Sequence, residues 1–182
     1  RKPGLDGNQS RINGALYDFG FGLSYTTFAY SNLELSAREI RPDESVEVAF
    51  DITNTGSRRG DEVVQLYVRD CISSITTYEK LLKGFERIGL EPGETKRVKM
   101  ILTPKDLSLL DAAMQRVVEP GEFDVLVGAS STDIRLSGRI RVTDGAAAVA
   151  VPSATAEIRF PATVARGGEV TLPVRDDLDI GG

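Results

Sequence analysis

Alternating apolar and polar residues dominate the chain from residue 29 onward. In the stretch SVEVAFDITNTG, the apolar positions of one face are Val46, Val48, Phe50 and Ile52. A period of two with one apolar face is typical of a half-buried β-strand. The next stretch, GDEVVQLYVRD, carries apolar residues on both faces. This pattern predicts a central strand.

Turn and cap signals separate the remaining strands, which are predicted in KLLKGFERI, ETKRVKMIL, EFDVLVGAS and IRLSGRIRV. Pro92 and Gly93 occupy the second and third positions of a type II turn. Thr103, Pro104 and Asp106 have the spacing of a capped helix start, and we expect a single helical turn there. About seven short strands over about 100 residues predict an all-β fold, an immunoglobulin-like (fibronectin type III-like) β-sandwich.

The pattern divides the chain into three segments. Residues 1–28 form an entry linker or interdomain segment, and residues 29–143 form the sandwich. Residues 144–182 form an Ala-rich joint and a partial β extension, which either packs on the sandwich or starts a further β-domain. The chain opens without Met and without an apolar leader. We therefore expect a piece of a longer protein, with no signal peptide in this chain.

Aromatic residues are concentrated just before the first predicted strand. The chain has 5 Tyr, 7 Phe and no Trp. Half of these rings lie between residues 17 and 30: Tyr17, Phe19, Phe21, Tyr25, Phe28 and Tyr30. Gly20 and Gly22 interrupt the segment, so a helix is not expected. The rings therefore need a partner surface or a ligand outside a regular element.

Composition excludes several functional classes. The content of 41% hydrophobic and 27% charged residues is that of a globular protein. The net charge of −5 and the scattered basic residues argue against nucleic-acid binding. No apolar run is long enough to span a membrane. The chain has no His and 1 Cys, which excludes Ser-His-Asp and Cys-His catalysis and His- or Cys-based zinc sites. We expect no cofactor, and we interpret Cys71 as a half-buried small residue.

Acidic and basic clusters suggest weaker alternatives. The adjacent carboxylate pairs are Asp43-Glu44, Asp61-Glu62 and Asp176-Asp177. Paired carboxylates can hydrolyse glycosides, but neighbours in a strand point to opposite faces, so we interpret these as surface charge. We expect Asp61 to bond the turn backbone after Gly60. The tail DDLDIGG is a weak calcium candidate. One predicted strand face is basic and carries Arg135, Arg139 and Arg141. We predict that this face is simply exposed to solvent, and an anionic-glycan site is the alternative.

Several motifs, in order, resemble one known domain. They are YDFGFGLSYTTFAYSNL, NTGSRRGDEVVQLYVRD, LLKGFERIGLEPGETKRVKMILTPKDLS and VVEPGEFDVLVGASSTDIRL. From about residue 14 to residue 143, the chain resembles the C-terminal fibronectin type III-like domain of glycoside hydrolase family 3, which contains β-glucosidases and β-xylosidases. It departs from the family pattern at Leu109, Leu110 and Arg116, where aromatic residues are common.

The resemblance implies a parent enzyme with a catalytic (β/α) barrel and an α/β sandwich before this domain. The nucleophilic aspartate and the acid/base carboxylate belong to those domains, so no catalytic residue is assigned in this chain. The parent would hydrolyse O-glycosyl bonds at nonreducing ends with retention, in the periplasm or outside the cell.

The same resemblance offers a role for the rings. The expected interdomain contacts, made with the barrel and the α/β sandwich, are Tyr17, Phe19, Phe21, Leu23 and Tyr25. Phe28 and Tyr30 would begin the sandwich. The chain would brace the catalytic domains, and a homo-oligomer is a further interpretation. The alternative is a carbohydrate-binding or protein-interaction module without an enzymatic role.

Overall fold

A computed structural model of the chain describes residues 16–143 and 147–148. The predicted calcium tail, the Asp176-Asp177 pair, the entry linker before residue 16 and the β extension after residue 148 lie outside the described residues. The elements are β1 (Phe28–Leu35), β2 (Glu39–Ile40), β3 (Val46–Asn54), β4 (Gly60–Asp70), β5 (Leu81–Leu90), β6 (Thr95–Leu102), α1 (Pro104–Leu107), β7 (Leu109–Leu110), β8 (Arg116–Val118), β9 (Gly121–Gly128), β10 (Ile134–Val142) and β11 (Ala147–Ala148).

Two sheets form the sandwich. One sheet has the strand order β1-β3-β6, and the other has the order β2-β10-β9-β4-β5. Strands β2 and β10 pair in parallel, whereas the other pairs in both sheets are antiparallel. A small third sheet joins β7, β8 and β11 at one end. The seven strands of eight or more residues confirm the predicted all-β sandwich.

The core lies between the two large sheets and follows the alternation of the sequence. Every apolar residue predicted on the inner face of β3 is fully buried: Val46, Val48, Phe50 and Ile52. From the opposite sheet, β4 adds Val64 and Leu66, and β9 adds Val125 and Val127. Burial of each such side chain contributes about 1.5–3 kcal/mol, so this interdigitated layer is the main source of stability.

The local signals are also confirmed. Glu94 donates its backbone N–H to the carbonyl of Glu91 at 3.0 Å, and Gly93 has a φ of 76°, as a type II turn requires. Asp106 accepts hydrogen bonds from the backbone N–H and the hydroxyl of Thr103, at 2.9 and 2.6 Å. Helix α1 is the expected single turn. No helix among the described residues has the length and apolar character needed to cross a membrane.

The buried side-chain amide of Asn54, at the end of β3, links three places in the fold. They are the segment before β1, the loop before β4 and the end of β5. Asn54 is fully buried, and its Nδ2 donates to the carbonyl oxygens of Arg58 and Leu90, at 2.7 and 3.0 Å. Its Oδ1 accepts from Gly56 N and Thr26 Oγ1, at 3.0 and 2.7 Å. All four hydrogen-bonding positions of this amide are therefore used. The arrangement fixes where the entry segment joins the sandwich.

Candidate functional site

The entry segment turns sharply at Gly20. Phe21 donates its backbone N–H to the carbonyl of Asp18 at 3.0 Å, and Gly20 has a φ of 79°. This left-handed conformation favours glycine. A side chain would also not fit at this position, because a Cβ on residue 20 would lie 2.0 Å from Gln65 Oε1. The turn therefore depends on a residue without a side chain.

A buried glutamine on β4 holds this turn against the sheet. Gln65 is only 4% exposed although its side chain points away from the core. Its Nε2 donates to the carbonyl oxygens of Gly20 and Ala129, at 3.0 and 2.6 Å. Its Oε1 accepts from the hydroxyl of Tyr67 at 2.5 Å. The entry segment thus covers the outer face of β4 at Gln65.

Two further contacts join the entry segment to the loop after β9. Ser131 donates its backbone N–H to the carbonyl of Phe19 at 2.9 Å. The hydroxyl of Thr132 donates to Asp18 Oδ2 at 2.8 Å. Together with the Gln65 contact, these bonds fix the backbone of the segment through polar groups. The side chains of the segment are left free to face outward.

The outward side chains form an exposed apolar surface. We call it the entry surface, and its members are Leu16, Tyr17, Phe19, Phe21, Leu23 and Tyr25. Leu23 and Tyr25 are 91% and 94% exposed, and Phe21, the least exposed member, is still 49% exposed. Tyr17 and Phe21 stack on each other with ring centroids 5.3 Å apart. All five residues predicted as interdomain contacts are therefore exposed in this chain, and their contact with other domains stays a prediction.

The structure separates the two later rings from this surface. Phe28 is 8% exposed and belongs to the core, and Tyr30 packs against the core. Tyr30 also stacks on Phe50, with centroids 6.5 Å apart. The boundary between exposed and buried rings therefore falls between Tyr25 and Phe28.

The exposed surface continues onto the neighbouring strands, which the sequence analysis missed. Phe85 on β5 is 70% exposed and pairs with Gln65 across the sheet. Val63 on β4 is also exposed. A groove of about 1090 Å³ separates the entry surface from these strands and is lined by both. The available signal was Phe85 itself, an aromatic that Glu86 and Arg87 directly follow in KGFERI.

A hydrogen-bonded set of charged groups lines the same groove. The hydroxyl of Tyr30 donates to Glu62 Oε1 at 2.8 Å. Arg135 lies over the Tyr30 ring, 4.9 Å from its centroid, and pairs with Asp133 at 2.8 Å. Burial and the nearby Glu62 carboxylate raise the pKa of Tyr30 well above its usual range. Tyr30 therefore stays protonated and remains a hydrogen-bond donor.

The two adjacent carboxylate pairs within the described residues do not form a catalytic dyad. Asp61 pairs with Arg87 on β5, with Arg87 Nη2 2.5 Å from Asp61 Oδ2, whereas Glu62 contacts Tyr30. The expected bond from Asp61 to the turn backbone is wrong, because the cross-strand guanidinium takes that carboxylate instead. Asp43 and Glu44 both pair with Arg41. Among the described residues, no group of three His, Cys, Asp or Glu side chains could hold a metal ion.

The basic face of β10 is largely neutralised by neighbouring acids. Arg139 pairs with Glu122 and Asp124, at 2.9 and 2.7 Å. Arg135 is engaged by Asp133 and by the carbonyl of Phe28. Two of the three predicted guanidinium groups are thus occupied, which argues against an anionic-glycan site.

The single described thiol is not activated. Cys71 follows β4 and is half-buried. Burial, followed by the nearby Asp124 carboxylate, raises the pKa of this thiol. A raised pKa lowers the thiolate fraction at neutral pH, which disfavours nucleophilic reaction at Cys71.

Comparison with known proteins identifies the domain. A fibronectin type III-like domain model matches residues 62–131. A β-xylosidase of Formosa agariphila is 51% identical over 116 residues, which are 64% of this chain and 16% of that protein. The periplasmic β-glucosidase of Salmonella typhimurium is 42% identical over 123 residues, which are 68% of this chain and 16% of that protein.

Solved structures agree with the sequence relatives. The β-glucosidase 3B of Thermotoga neapolitana, in complex with α-D-glucose, superposes with a TM-score of 0.67 at 38% identity. The match covers 74% of this chain and 18% of that structure. This chain spans only 16% of the length of the two curated relatives described above. The chain therefore belongs to the fibronectin type III-like domains that β-glucosidases and β-xylosidases of glycoside hydrolase family 3 carry.

Proposed function

We propose that this chain is a noncatalytic accessory domain that braces the catalytic domains of a β-glucosidase-like enzyme. The observation that carries the proposal is the entry surface, whose backbone is fixed by polar bonds while its rings face outward. Contiguous exposed apolar surface on a folded domain marks a site of interaction. Full burial of each large side chain contributes about 1.5–3 kcal/mol, so this surface could supply most of a docking energy.

The composition of the entry surface favours a protein partner over a sugar. Leu16 and Leu23 are exposed in the same segment as the rings, and aliphatic side chains offer no flat π face to a pyranose ring. The rings of Tyr17 and Phe21 are stacked on each other. A mixed aliphatic and aromatic surface is what the buried centre of a protein interface requires.

Under this proposal, other domains of the parent enzyme carry out catalysis. The parent would hydrolyse O-glycosyl bonds at nonreducing ends through a glycosyl-enzyme intermediate, with two carboxylates supplied outside this chain. The adjacent carboxylates described here support that division, because Asp61 and Glu62 have separate partners. A periplasmic or extracellular location is part of the same proposal.

The test uses the full-length protein that carries this sequence. Residues 17–25 are deleted, or Tyr17 and Phe21 are both changed to Ala, and the Tm and the kcat/KM for a β-glucoside are measured. Ile101→Ala is the matched control, because Ile101 is also exposed but lies on β6 in the other sheet. We expect the entry variants, and not the control, to lower both values. Unchanged values for the entry variants would reject bracing, and retention of the wild-type chain on insoluble glucan would favour the sugar-binding module.

A further inference from the structure

One buried carboxylate in the groove makes no direct ion pair with a described Lys or Arg side chain. Glu62 is 9% exposed and lines the groove beside Tyr30. Its Oε1 accepts the Tyr30 hydroxyl, which is a neutral donor. Within residues 16–143, Glu62 forms no ion pair, because no Lys or Arg nitrogen lies within 4.0 Å of its carboxylate. Buried carboxylates are usually paired, because burial of an unpaired charge is costly.

The charges around Glu62 leave the groove negative. The carboxylates that line the groove are Asp18, Asp61, Glu62 and Asp133, and the basic lining residue is Arg135. Asp133 neutralises Arg135, and Asp61 is paired with Arg87. Asp18 accepts only a hydroxyl, from Thr132, in the part of the chain that the structure describes. Among the described residues, Glu62 and Asp18 are therefore the lining carboxylates without an ion pair, and Arg135 acts on Glu62 only through space.

The shape and lining of the groove favour an organic cation over a metal ion. The described residues offer no cluster of three metal-binding side chains. The walls carry aromatic rings, including Phe19, Phe21 and Phe85. Aromatic faces attract guanidinium and ammonium groups. The groove already shows this geometry once, in the stacking of Arg135 over Tyr30.

We propose that the groove receives an arginine side chain of the docked catalytic domain and that its guanidinium pairs with Glu62. A planar guanidinium stacks on rings and bonds a carboxylate with two parallel N–H groups, which an ammonium cannot do. The proposal rests on the proposed bracing function and names the partner chemistry of the same surface. In this arrangement the rings supply affinity, and the ion pair sets the register of docking.

The first experiment probes the groove of this chain directly. N-acetyl-arginine amide is titrated into the isotope-labelled chain, and its neutral isostere N-acetyl-citrulline amide is the matched ligand control. We expect chemical-shift changes around Glu62 and Tyr30 with the arginine ligand only. Glu62→Gln keeps an acceptor for Tyr30 but removes the charge, and should weaken the response by about tenfold. Glu47→Gln, on β3 of the other sheet, should leave it unchanged.

Three results would overturn the proposal. They are an absent arginine response, an equal response to the citrulline ligand, and a full response in Glu62→Gln. Shifts at the same residues with glucose instead of arginine would assign the groove to a sugar.

The second experiment separates this inference from the bracing function. Glu62→Gln and Glu47→Gln are compared in the full-length protein at low and high salt. We expect Glu62→Gln to lower the Tm by more than Glu47→Gln, whose exposed pair with Lys99 contributes little, and the difference should shrink at high salt because screening weakens the lost ion pair. If the Tyr17 and Phe21 variants lower the Tm but Glu62→Gln does not, the arginine proposal fails and bracing stands. If neither lowers it, both fail.

Discussion

The side-chain amide of Gln65 donates to the backbone carbonyl of Gly20 at 3.0 Å, across 45 positions of sequence. This bond links the centre of the larger sheet to the turn that presents the exposed rings. Gln65 is buried, so the bond is shielded from water and holds the turn in place. Contacts with the sandwich therefore set the orientation of the entry surface.

Replacing Gly20 should destabilise the anchored turn. Gly20→Ala places a Cβ 2.0 Å from Gln65 Oε1 and forces a side chain into a left-handed conformation. We expect a loss of about 1–3 kcal/mol in the free energy of unfolding, measured by urea denaturation of the chain. Gly22→Ala is the matched control, because a Cβ there meets nothing within 4 Å. Equal effects of the two substitutions would contradict the account of the turn.

Truncating the buried amide at the start of the sandwich should cost more. Asn54→Ala removes four hydrogen bonds and leaves Thr26, Gly56 and two carbonyl groups without their partner. Unsatisfied buried groups cost about 1–3 kcal/mol each when water cannot reach them, so we expect a loss of at least about 2 kcal/mol. Denaturation of Gln115→Ala, which truncates an exposed amide, provides the comparison. A loss no larger than that of the control would show that Asn54 is dispensable.

Acid should destabilise the β1-β3-β6 sheet by protonating Asp51, which lies on β3. Hydrogen bonds from Asn32 and then Arg97 hold the pKa of Asp51 below its usual value. This carboxylate therefore stabilises the fold above the unfolded pKa of about 3.9, and the contribution is lost as the pH falls through the lower native pKa. Asp51→Asn should flatten the fall in urea midpoint between neutral pH and about pH 3. Asp43→Asn, in an exposed loop, is the control, and an unchanged acid slope in Asp51→Asn would refute the assignment.

Local signals in the sequence predicted much of the sandwich. Alternation located the buried face of β3, and the two apolar faces of GDEVVQLYVRD identified β4 as a central strand. The turn at Gly93 and the cap at Thr103 also followed from short-range chemistry. These features depend on residues within one element, whose pattern is readable without knowledge of strand pairing.

Features that depend on distant pairing could not be predicted. The exposure of Phe85 and the burial of Glu62 follow from which strands neighbour β4, and the sequence does not specify that order. Asp61 was assigned to a local turn because short polar side chains often bond nearby backbone, but strand pairing brings Arg87 within 2.5 Å. The five predicted contact residues proved exposed together, and their burial in the parent is still a prediction.

Oxidative footprinting of the entry surface tests the bracing proposal most directly. Hydroxyl-radical labelling of Tyr17, Phe21 and Tyr25 is compared between this chain and the full-length protein, with exposed Met114 as the reference. The account predicts several-fold protection of the three rings in the full-length protein, with Met114 labelled alike in both. Equal labelling of the rings in both proteins would mean that the entry surface stays exposed, and the chain would not brace the enzyme through it.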